Sequence, residues 1–169
     1  MKEKTIFAGD LENREEYIKI ARAKFDSYDT SVWKKDYFDN DTGGYFVTER
    51  ARIAQSEKSK NETIKFLKEQ EMCVTLAKNG YAMEHLNDKW GETYDVHMDN
   101  IKADLKKTRS HNNIVNYAKD AVRYQGAEMV IFEFEKETEK IYSELARFKS
   151  YNIHGKYYFT HKKNVIHDF

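Results

Sequence analysis

Hydrophobic side chains recur every three or four positions in four stretches of the chain, and this spacing is typical of amphipathic helices. The four stretches are residues 11–25, 61–79, 113–125 and 135–151. In the second stretch, Asn61 with Glu62 in the first turn marks the start, and Asn79 with Gly80 marks the end. The pattern therefore predicts one helix near the N-terminus and three more in the rest of the chain.

Short stretches that are alternating or continuously apolar predict strands. They are residues 45–49, 81–86, 93–98, 101–107, 128–134, 155–160 and 164–169. Asp99 and Asn100 lie between the third and fourth of these and predict a hairpin turn. The stretch "EMVIFEF" is the most apolar and is expected at the centre of the sheet. From residue 61 the order is helix, three strands, helix, strand, helix and strand, which predicts an α/β fold with a mixed sheet flanked by helices.

The first fifty residues have a different character. Residues 27–44 are irregular, rich in Asp and aromatic residues, and end in the pair Gly43 and Gly44. This part is too short and too polar to hold a core of its own. We therefore expect residues 1–50 to form a helical N-terminal extension packed on a main domain of residues 51–169.

Composition and charge narrow the class of protein. The chain has 169 residues, of which 40% are hydrophobic and 34% charged, which is typical of a soluble globular domain with a real core. Lys and Arg number 29 and Asp and Glu also 29, so bulk charge does not favour nucleic-acid binding. The 12 Tyr and 10 Phe supply core, or alternatively rings that stack on bases.

Other features exclude classes of site and location. Cys73 is the only cysteine, which excludes an intramolecular disulfide and a thiolate zinc site of the usual kind. The N-terminal residues do not resemble a signal peptide, and no run approaches the ~18 apolar residues of a membrane span. The expected location is the cytoplasm, without a membrane partner.

Two carboxylates and a lysine in the predicted hairpin are the strongest candidates for chemistry. Asp104 and Lys106 project from the same face of their strand, because side chains alternate along a strand. Asp95 lies across the hairpin, where paired residues have Cβ atoms ~5 Å apart. Two carboxylates at that distance repel each other unless a cation lies between them, and Mg²⁺ takes such oxygen ligands. The alternative is that all three are solvent-facing strand residues.

A third carboxylate is expected from the helix at 61–79. Glu69 lies in an apolar stripe with Phe66 and Cys73, where a charge needs a partner. Glu71 has a similar position relative to its own apolar neighbours, so both remain candidates, with Glu69 preferred. Either is otherwise an ordinary surface residue of an amphipathic helix.

The pattern Asp-x8-Asp-x-Lys on a hairpin, with a helical Glu before it, resembles the PD-(D/E)xK nuclease superfamily. Asp104 stands where Glu is usual, and Tyr94 stands where the superfamily has proline. Residues 60–135 are still more similar to the C-terminal toxin nuclease domains of contact-dependent growth inhibition (CdiA-type) proteins, which share a helical Glu and the sequence "LA-x-x-GY". The resemblance implies a restriction endonuclease-like αβββαβ core.

The same resemblance implies a function and assigns roles to residues. It implies a metal-dependent endonuclease that cleaves RNA, most of all tRNA, with an immunity or regulatory protein as a further partner. The metal-binding acids are then Glu69, Asp95 and Asp104, the catalytic lysine is Lys106, and Lys119 is a second basic candidate. Mg²⁺, or another divalent ion such as Mn²⁺ or Zn²⁺, is the expected cofactor.

The stretch after the second strand of the hairpin, "TRSHNN", supplies candidate substrate-binding residues. Arg109 and His111 next to a helix N-terminus are suited to phosphate, and Asn113 and Lys119 extend the same region. The alternative for Ser110, Asn112 and Asn113 is helix capping.

Three other functions agree with the same residues. A catalytically inactive nuclease-fold module would bind nucleic acid or a partner protein without cleaving it. A DNA endonuclease would use the same metal site on another substrate. A metal-independent ribonuclease would use His111 or His154 as general acid and base.

Overall fold

The computed structural model describes residues 11–169, which alternate between helices and strands in a single mixed sheet. The helices are α1 (Leu11–Asp26), α2 (Arg50–Ser56), α3 (Lys60–Lys78), α4 (Ile114–Tyr124) and α5 (Glu139–Phe148), followed by a 3-10 turn at Lys149–Tyr151. The strands are β1 (Trp33–Phe38), β2 (Tyr45–Glu49), β3 (Ala82–His85), β4 (Val96–Met98), β5 (Ile101–Thr108), β6 (Met129–Phe134), β7 (Gly155–Phe159) and β8 (Lys162–Asp168).

The eight strands lie side by side in the order of the sequence. The pairs β2/β3, β5/β6 and β6/β7 are parallel, and each is connected through helices, whereas the other four pairs are antiparallel. The predicted α/β class, with helices flanking a mixed sheet, is confirmed. None of the helices in the described part of the chain is long and apolar enough to cross a membrane.

Two apolar clusters cover the two faces of the sheet. On one face, α3 contributes Met72 and Leu76, which pack with Leu105 and Ile131 of the central strands. On the other face, α4 and α5 pack on the alternate residues of the same strands, including Phe132. All six residues of β6 are buried, so the stretch predicted to be central is fully covered on both sides.

The hairpin that carries the candidate site is confirmed. Asp99 and Asn100 have φ values of 49° and 68°, as a two-residue turn of the primed type requires. Strand β4 is shorter than the predicted 93–98, because the backbone N–H of Thr93 donates to the carbonyl of Gln125 at 3.1 Å. The chain before Asp95 therefore turns from β5 toward the end of α4.

The residues before position 51 contribute two strands to the sheet. Strand β2 pairs in parallel with β3, and Tyr45, Phe46 and Val47 are buried. The prediction of an irregular stretch at residues 27–44 is wrong for β1. The polar sequence of β1 becomes a strand because it pairs with β2. The boundary expected after residue 50 coincides with the junction of β2 and α2, and the sheet continues across it.

The close packing of α3 on the start of β2 depends on Gly44. A Cβ atom at this position would lie 1.8 Å from the carbonyl oxygen of Ala77, near the end of α3. The Gly44→Ala variant is therefore expected to lose about 1–3 kcal/mol in the free energy of unfolding, measured by urea denaturation.

Gly91 provides the control for this substitution. A Cβ atom there would contact nothing within 4 Å, although φ is +78°. Gly91→Ala is therefore expected to cost only about 1 kcal/mol, from backbone strain alone. Equal losses in the two variants would contradict the close helix–strand contact at Gly44.

Candidate active site

A cavity of about 300 Å³ opens between α3, β5 and α4 at the end of the hairpin. Its walls contain all four residues that the sequence assigned to catalysis, namely Glu69, Asp95, Asp104 and Lys106. The other residues that line it are Asn61, Ile64, Lys65, Lys68, Met72, Leu105, Lys107, Tyr117 and Gln125.

Glu69 enters this cavity from α3 and is held from behind by two basic side chains. Its Oε2 atom accepts hydrogen bonds from Arg52 Nη2 at 3.0 Å and from His85 Nε2 at 2.6 Å. His85 Nε2 is the donor, because the amide nitrogen of Gln70 donates to His85 Nδ1 at 2.7 Å. Burial also lowers the pKa of His85, which favours this neutral form.

The charged form of Glu69 is stabilised by its neighbours. Burial by itself would raise the pKa of Glu69, but the hydrogen bond from His85 and the charges of Lys65 and Arg52 lower it to about 2. Glu69 is only 3% exposed, so these interactions act away from bulk water. The helical carboxylate is therefore a fixed negative charge at neutral pH.

Asp95 lies immediately before β4 and is bound by the neighbouring strand. Its Oδ2 atom accepts a hydrogen bond from the backbone N–H of Leu105 at 2.9 Å, while Oδ1 faces Lys65 Nζ at 3.5 Å. Burial, together with the negative charges of Glu69 and Asp104, raises the pKa of Asp95 well above its usual value. The positive charge of Lys65 lowers the pKa of Asp95 only in part, whereas for Glu69 the neighbouring groups outweigh the effect of burial.

Asp104 lies on β5, on the face of the sheet that α4 covers. The Tyr117 hydroxyl donates to Asp104 Oδ2. With its amide nitrogen turned toward Asp104, Gln125 donates to both carboxylate oxygens, at 2.9 and 2.8 Å. Burial raises the pKa of Asp104, although interactions with the Asp95 carboxyl group, the Tyr117 hydroxyl and the charge of Lys65 lower it in part. The carboxyl groups of Asp95 and Asp104 therefore lie close enough to shift each other's pKa.

Two lysines of the cavity differ in their surroundings. Lys65 Nζ lies 3.5 Å from both Glu69 Oε1 and Asp95 Oδ1. Burial would lower the pKa of Lys65, but the charges of Asp95 and Glu69 outweigh this effect and raise it. Lys106 Nζ instead lies 4.8 Å from the centre of the Tyr117 ring, at the exposed rim of the cavity.

The candidate substrate-binding residues do not line this cavity. Arg109 forms an ion pair with Glu135 at 2.9 Å, and Lys119 Nζ lies 3.5 Å from the centre of the Tyr151 ring. Asn113 is at the N-cap position of α4 but makes no capping hydrogen bond with its side chain, because its backbone is left-handed with φ of 63°. His111 lies in the turn before α4, outside the cavity walls.

Glu71, the alternative to Glu69, is not among the residues that line the cavity. Its carboxylate pairs with Lys107 at 3.5 Å, and its side chain is 62% exposed. His154, the other candidate for metal-independent chemistry, is exposed and also lies outside the cavity walls. The structure therefore brings together the three acids and Lys106, and leaves the other candidates apart.

Sequence reasoning missed several residues of the site. Lys65 precedes Glu69 by one helical turn, so the (i, i+4) spacing on α3 was the available signal. Tyr117, Gln125, Arg52 and His85 reach the acids from elements that are distant in the sequence. No local pattern identifies these four.

The side chains around the cavity can be compared with what a metal ion requires. No three acidic, imidazole or thiol groups within residues 11–169 are already arranged as ligands of one ion. Glu69 and Asp95 are bridged by Lys65, and Asp104 accepts hydrogen bonds from Tyr117 and Gln125. The chemistry nevertheless fits a hard divalent cation, because three buried carboxylates line one cavity and the buried Glu69 Oε1 receives no hydrogen bond from residues 11–169.

Comparison with known proteins gives one informative similarity. No protein-family model matches the chain, and no curated protein is a significant match. The fold is similar to that of a chain in the CdiA-CT/CdiI toxin and immunity complex from Burkholderia pseudomallei, with 18% sequence identity and a TM-score of 0.52. The alignment covers 67% of this chain and 89% of that chain. At this level of identity the similarity concerns the fold alone.

Proposed function

We propose that the protein is a metal-dependent endonuclease that hydrolyses phosphodiester bonds in RNA, with tRNA as the foremost substrate. The observation that carries the proposal is the convergence of Glu69, Asp95 and Asp104 in one cavity that also contains Lys106. Three carboxylates in a buried site would hold a divalent cation, which would supply an activated water for phosphodiester hydrolysis next to Lys106. The fold similarity to a toxin complex supports the same class.

Glu69, Asp95 and Asp104 would hold the ion through the carboxylate oxygens that face the cavity. When bound, the ion would lower the pKa of a water molecule and neutralise charge on the phosphate. Oxygen ligands favour Mg²⁺ or Mn²⁺ over Zn²⁺, which is usually bound by nitrogen and sulfur.

The other side chains of the cavity would have supporting roles. Lys106, at the rim, would orient the attacking water and accept or share its proton. Lys68 and Lys107 line the same cavity and would face the negative charge of the phosphate. Behind the acids, His85 and Arg52 hold Glu69, while Tyr117 and Gln125 hold Asp104. These residues position the carboxylates before substrate arrives.

RNA is proposed as the substrate, with DNA as the alternative, because the toxin domains that the sequence resembles act on tRNA. The protein of similar fold was solved as a toxin and immunity complex. By analogy, we propose that an immunity protein is the partner of this chain.

The test is cleavage of purified tRNA, total RNA and plasmid DNA by the full chain, each with Mg²⁺, Mn²⁺ or EDTA. Cleavage of tRNA that needs a divalent ion is the expected result. Cleavage of plasmid DNA alone would identify the alternative substrate. Cleavage that survives EDTA would overturn the metal-dependent proposal and favour a histidine-based mechanism.

A catalytically inactive nucleic-acid-binding or protein-binding module is the second candidate. One observation favours it: Lys65 already supplies a positive charge between Glu69 and Asp95. Retention of tRNA without any cleavage, and no binding of Mn²⁺ in solution, would decide for this module.

Lys106→Ala is expected to lower kcat for RNA cleavage about a hundredfold, the size typical of losing a general base, while KM changes little. The lysine acts on the water rather than on the ion, so Mn²⁺ affinity should remain within about twofold. Steady-state kinetics and a Mn²⁺ titration measure both effects. Lys140→Ala, an exposed lysine on α5, is the control, and an equal loss in both variants would contradict the assignment.

A further inference from the structure

Lys65 occupies a position that is unusual for a surface lysine. It lies on α3, one turn before Glu69, and its side chain is 55% exposed. Its Nζ atom is 3.5 Å from Glu69 Oε1 and 3.5 Å from Asp95 Oδ1. The ammonium group thus bridges two buried carboxylates that come from different elements of the fold.

Lys65 approaches one oxygen of each carboxylate, and in each case the other oxygen accepts hydrogen bonds from the protein. Glu69 Oε2 already accepts from Arg52 and His85, and Asp95 Oδ2 accepts from the backbone of Leu105. Glu69 Oε1 is buried and receives no hydrogen bond from the described part of the chain. An ion that used Glu69 Oε1 and Asp95 Oδ1 would therefore compete with the Lys65 ammonium group.

We propose that Lys65 is a built-in counter-ion that competes with the divalent cation for Glu69 Oε1 and Asp95 Oδ1, and that it is displaced when the ion binds. This inference rests on the metal site of the proposed function. It adds that the metal-free site is held together by the ammonium group, and that loading is an exchange of one cation for another.

Two like-charged ions a few ångströms apart repel strongly where water is scarce, so Lys65 Nζ and a divalent ion do not share this position. The half-exposed Lys65 side chain has a flexible four-carbon stem, which allows it to move into solvent without disturbing α3. The carboxylates themselves are buried and stay in place.

A purely structural role for Lys65 makes a different prediction. Removing a structural ion pair would loosen the acids and weaken or leave unchanged the binding of a metal ion. Removing a competitor would strengthen it. The direction of the change in affinity therefore separates the two roles.

The experiment is a calorimetric titration of the metal-free full chain with Mn²⁺, using wild type, Lys65→Met, Lys65→Gln, Lys65→Arg and Lys68→Met. Lys65→Met and Lys65→Gln are expected to bind Mn²⁺ about fivefold more tightly, the factor that corresponds to losing one competing ion pair of about 1 kcal/mol. Lys65→Arg keeps the positive charge and should not bind more tightly than wild type.

Lys68→Met is the matched control for general charge. Lys68 also lines the cavity, and within the described residues it has no ion pair with the three acids. Its removal should change the affinity no more than about twofold, because a charge facing solvent is screened. Circular dichroism verifies that each variant is folded, and the Gln variant duplicates the Met variant if one of them unfolds.

The results separate this inference from the proposed function. If Lys65→Met and Lys65→Gln both bind Mn²⁺ as tightly as wild type or more weakly, the counter-ion role is overturned. The proposed function still stands in that case if wild type cleaves tRNA only when Mg²⁺ is present. Mn²⁺ binding by Lys65→Met and Lys65→Gln without Mn²⁺ binding by wild type supports the counter-ion role. An equal gain in Lys68→Met overturns it, since general charge then explains the effect. No binding by any variant overturns it together with the metal site.

Discussion

Asp104→Asn is expected to abolish cleavage and, in the absence of metal, to make the protein more stable. Loss of this carboxylate removes a metal ligand, and the rate of RNA cleavage should fall about a thousandfold, equivalent to about 4 kcal/mol of transition-state stabilisation. The fold should survive, because the Gln125 amide can turn its oxygen toward the amide nitrogen that the substitution introduces. Tyr117 can still donate to the remaining oxygen.

The gain in stability follows from the sign of the pKa shift. Burial raises the pKa of Asp104 above its usual 3.8, and burial with neighbouring negative charge raises that of Asp95. Their contribution to stability is therefore fully present below pH 3.8 and is lost as the pH rises through the higher folded-state pKa. As the pH rises and the two carboxyl groups lose their protons, their repulsion destabilises the fold, and a neutral amide in place of the Asp104 carboxylate relieves this repulsion.

Thermal unfolding in EDTA between pH 4 and pH 8 measures this effect. The difference in Tm between Asp104→Asn and wild type is expected to be positive at pH 7.5 and to shrink toward pH 4. Saturating Mg²⁺ should reverse it, because wild type alone gains stability from the ion. A variant that melts below wild type at pH 7.5 without metal would contradict the charge balance described for this pair.

Glu69→Gln is expected to have the opposite effect on stability. Its carboxylate is the partner of Arg52, which is itself 3% exposed, so the variant leaves a buried guanidinium without its counter-ion. Breaking a buried ion pair from one side costs about 3–5 kcal/mol in the free energy of unfolding. Because the neighbours of Glu69 lower its pKa to about 2, this stability is present above its usual pKa of 4.5 and is lost as the pH falls through about 2.

Glu71→Gln is the matched control, two positions away on the same helix. The Glu71 side chain is 62% exposed and within residues 11–169 forms one ion pair, with Lys107, so its removal should change stability by no more than about 0.5 kcal/mol. Urea denaturation at pH 7 compares the variants, and tRNA cleavage should be lost only in Glu69→Gln. Equal losses in both variants would contradict the assignment of Glu69 as the acid of the site.

The parts of the fold that were predictable depend on short-range patterns. The hairpin followed from Asp99 and Asn100 between two strand-like stretches, and it brought Asp95 and Asp104 together because paired residues are neighbours in space. The preference for Glu69 over Glu71 likewise used local spacing on one helix. Glu69, Asp95 and Asp104 line one cavity in the structure.

The parts that escaped prediction depend on contacts between distant segments. Strand β1 has a polar sequence and becomes a strand only by pairing with β2. Helix α2 provides Arg52, whose partner Glu69 lies seventeen positions away, and Tyr117 reaches Asp104 from α4. Lys119, a candidate substrate-binding residue, lies 3.5 Å from the centre of the Tyr151 ring, which comes from the turn after α5. No periodicity along the chain encodes such pairings.

A crystal structure of the protein with Mn²⁺ tests the central claim most directly, since the anomalous signal locates the ion. One ion is expected in the cavity, at about 2.1 Å from carboxylate oxygens of Glu69, Asp95 and Asp104, as for hard divalent cations. Lys65 Nζ should then have left its position between Glu69 and Asp95. An ion bound elsewhere, or an undisturbed Lys65 with no ion at saturating Mn²⁺, would contradict a metal-dependent nuclease site built from these three acids.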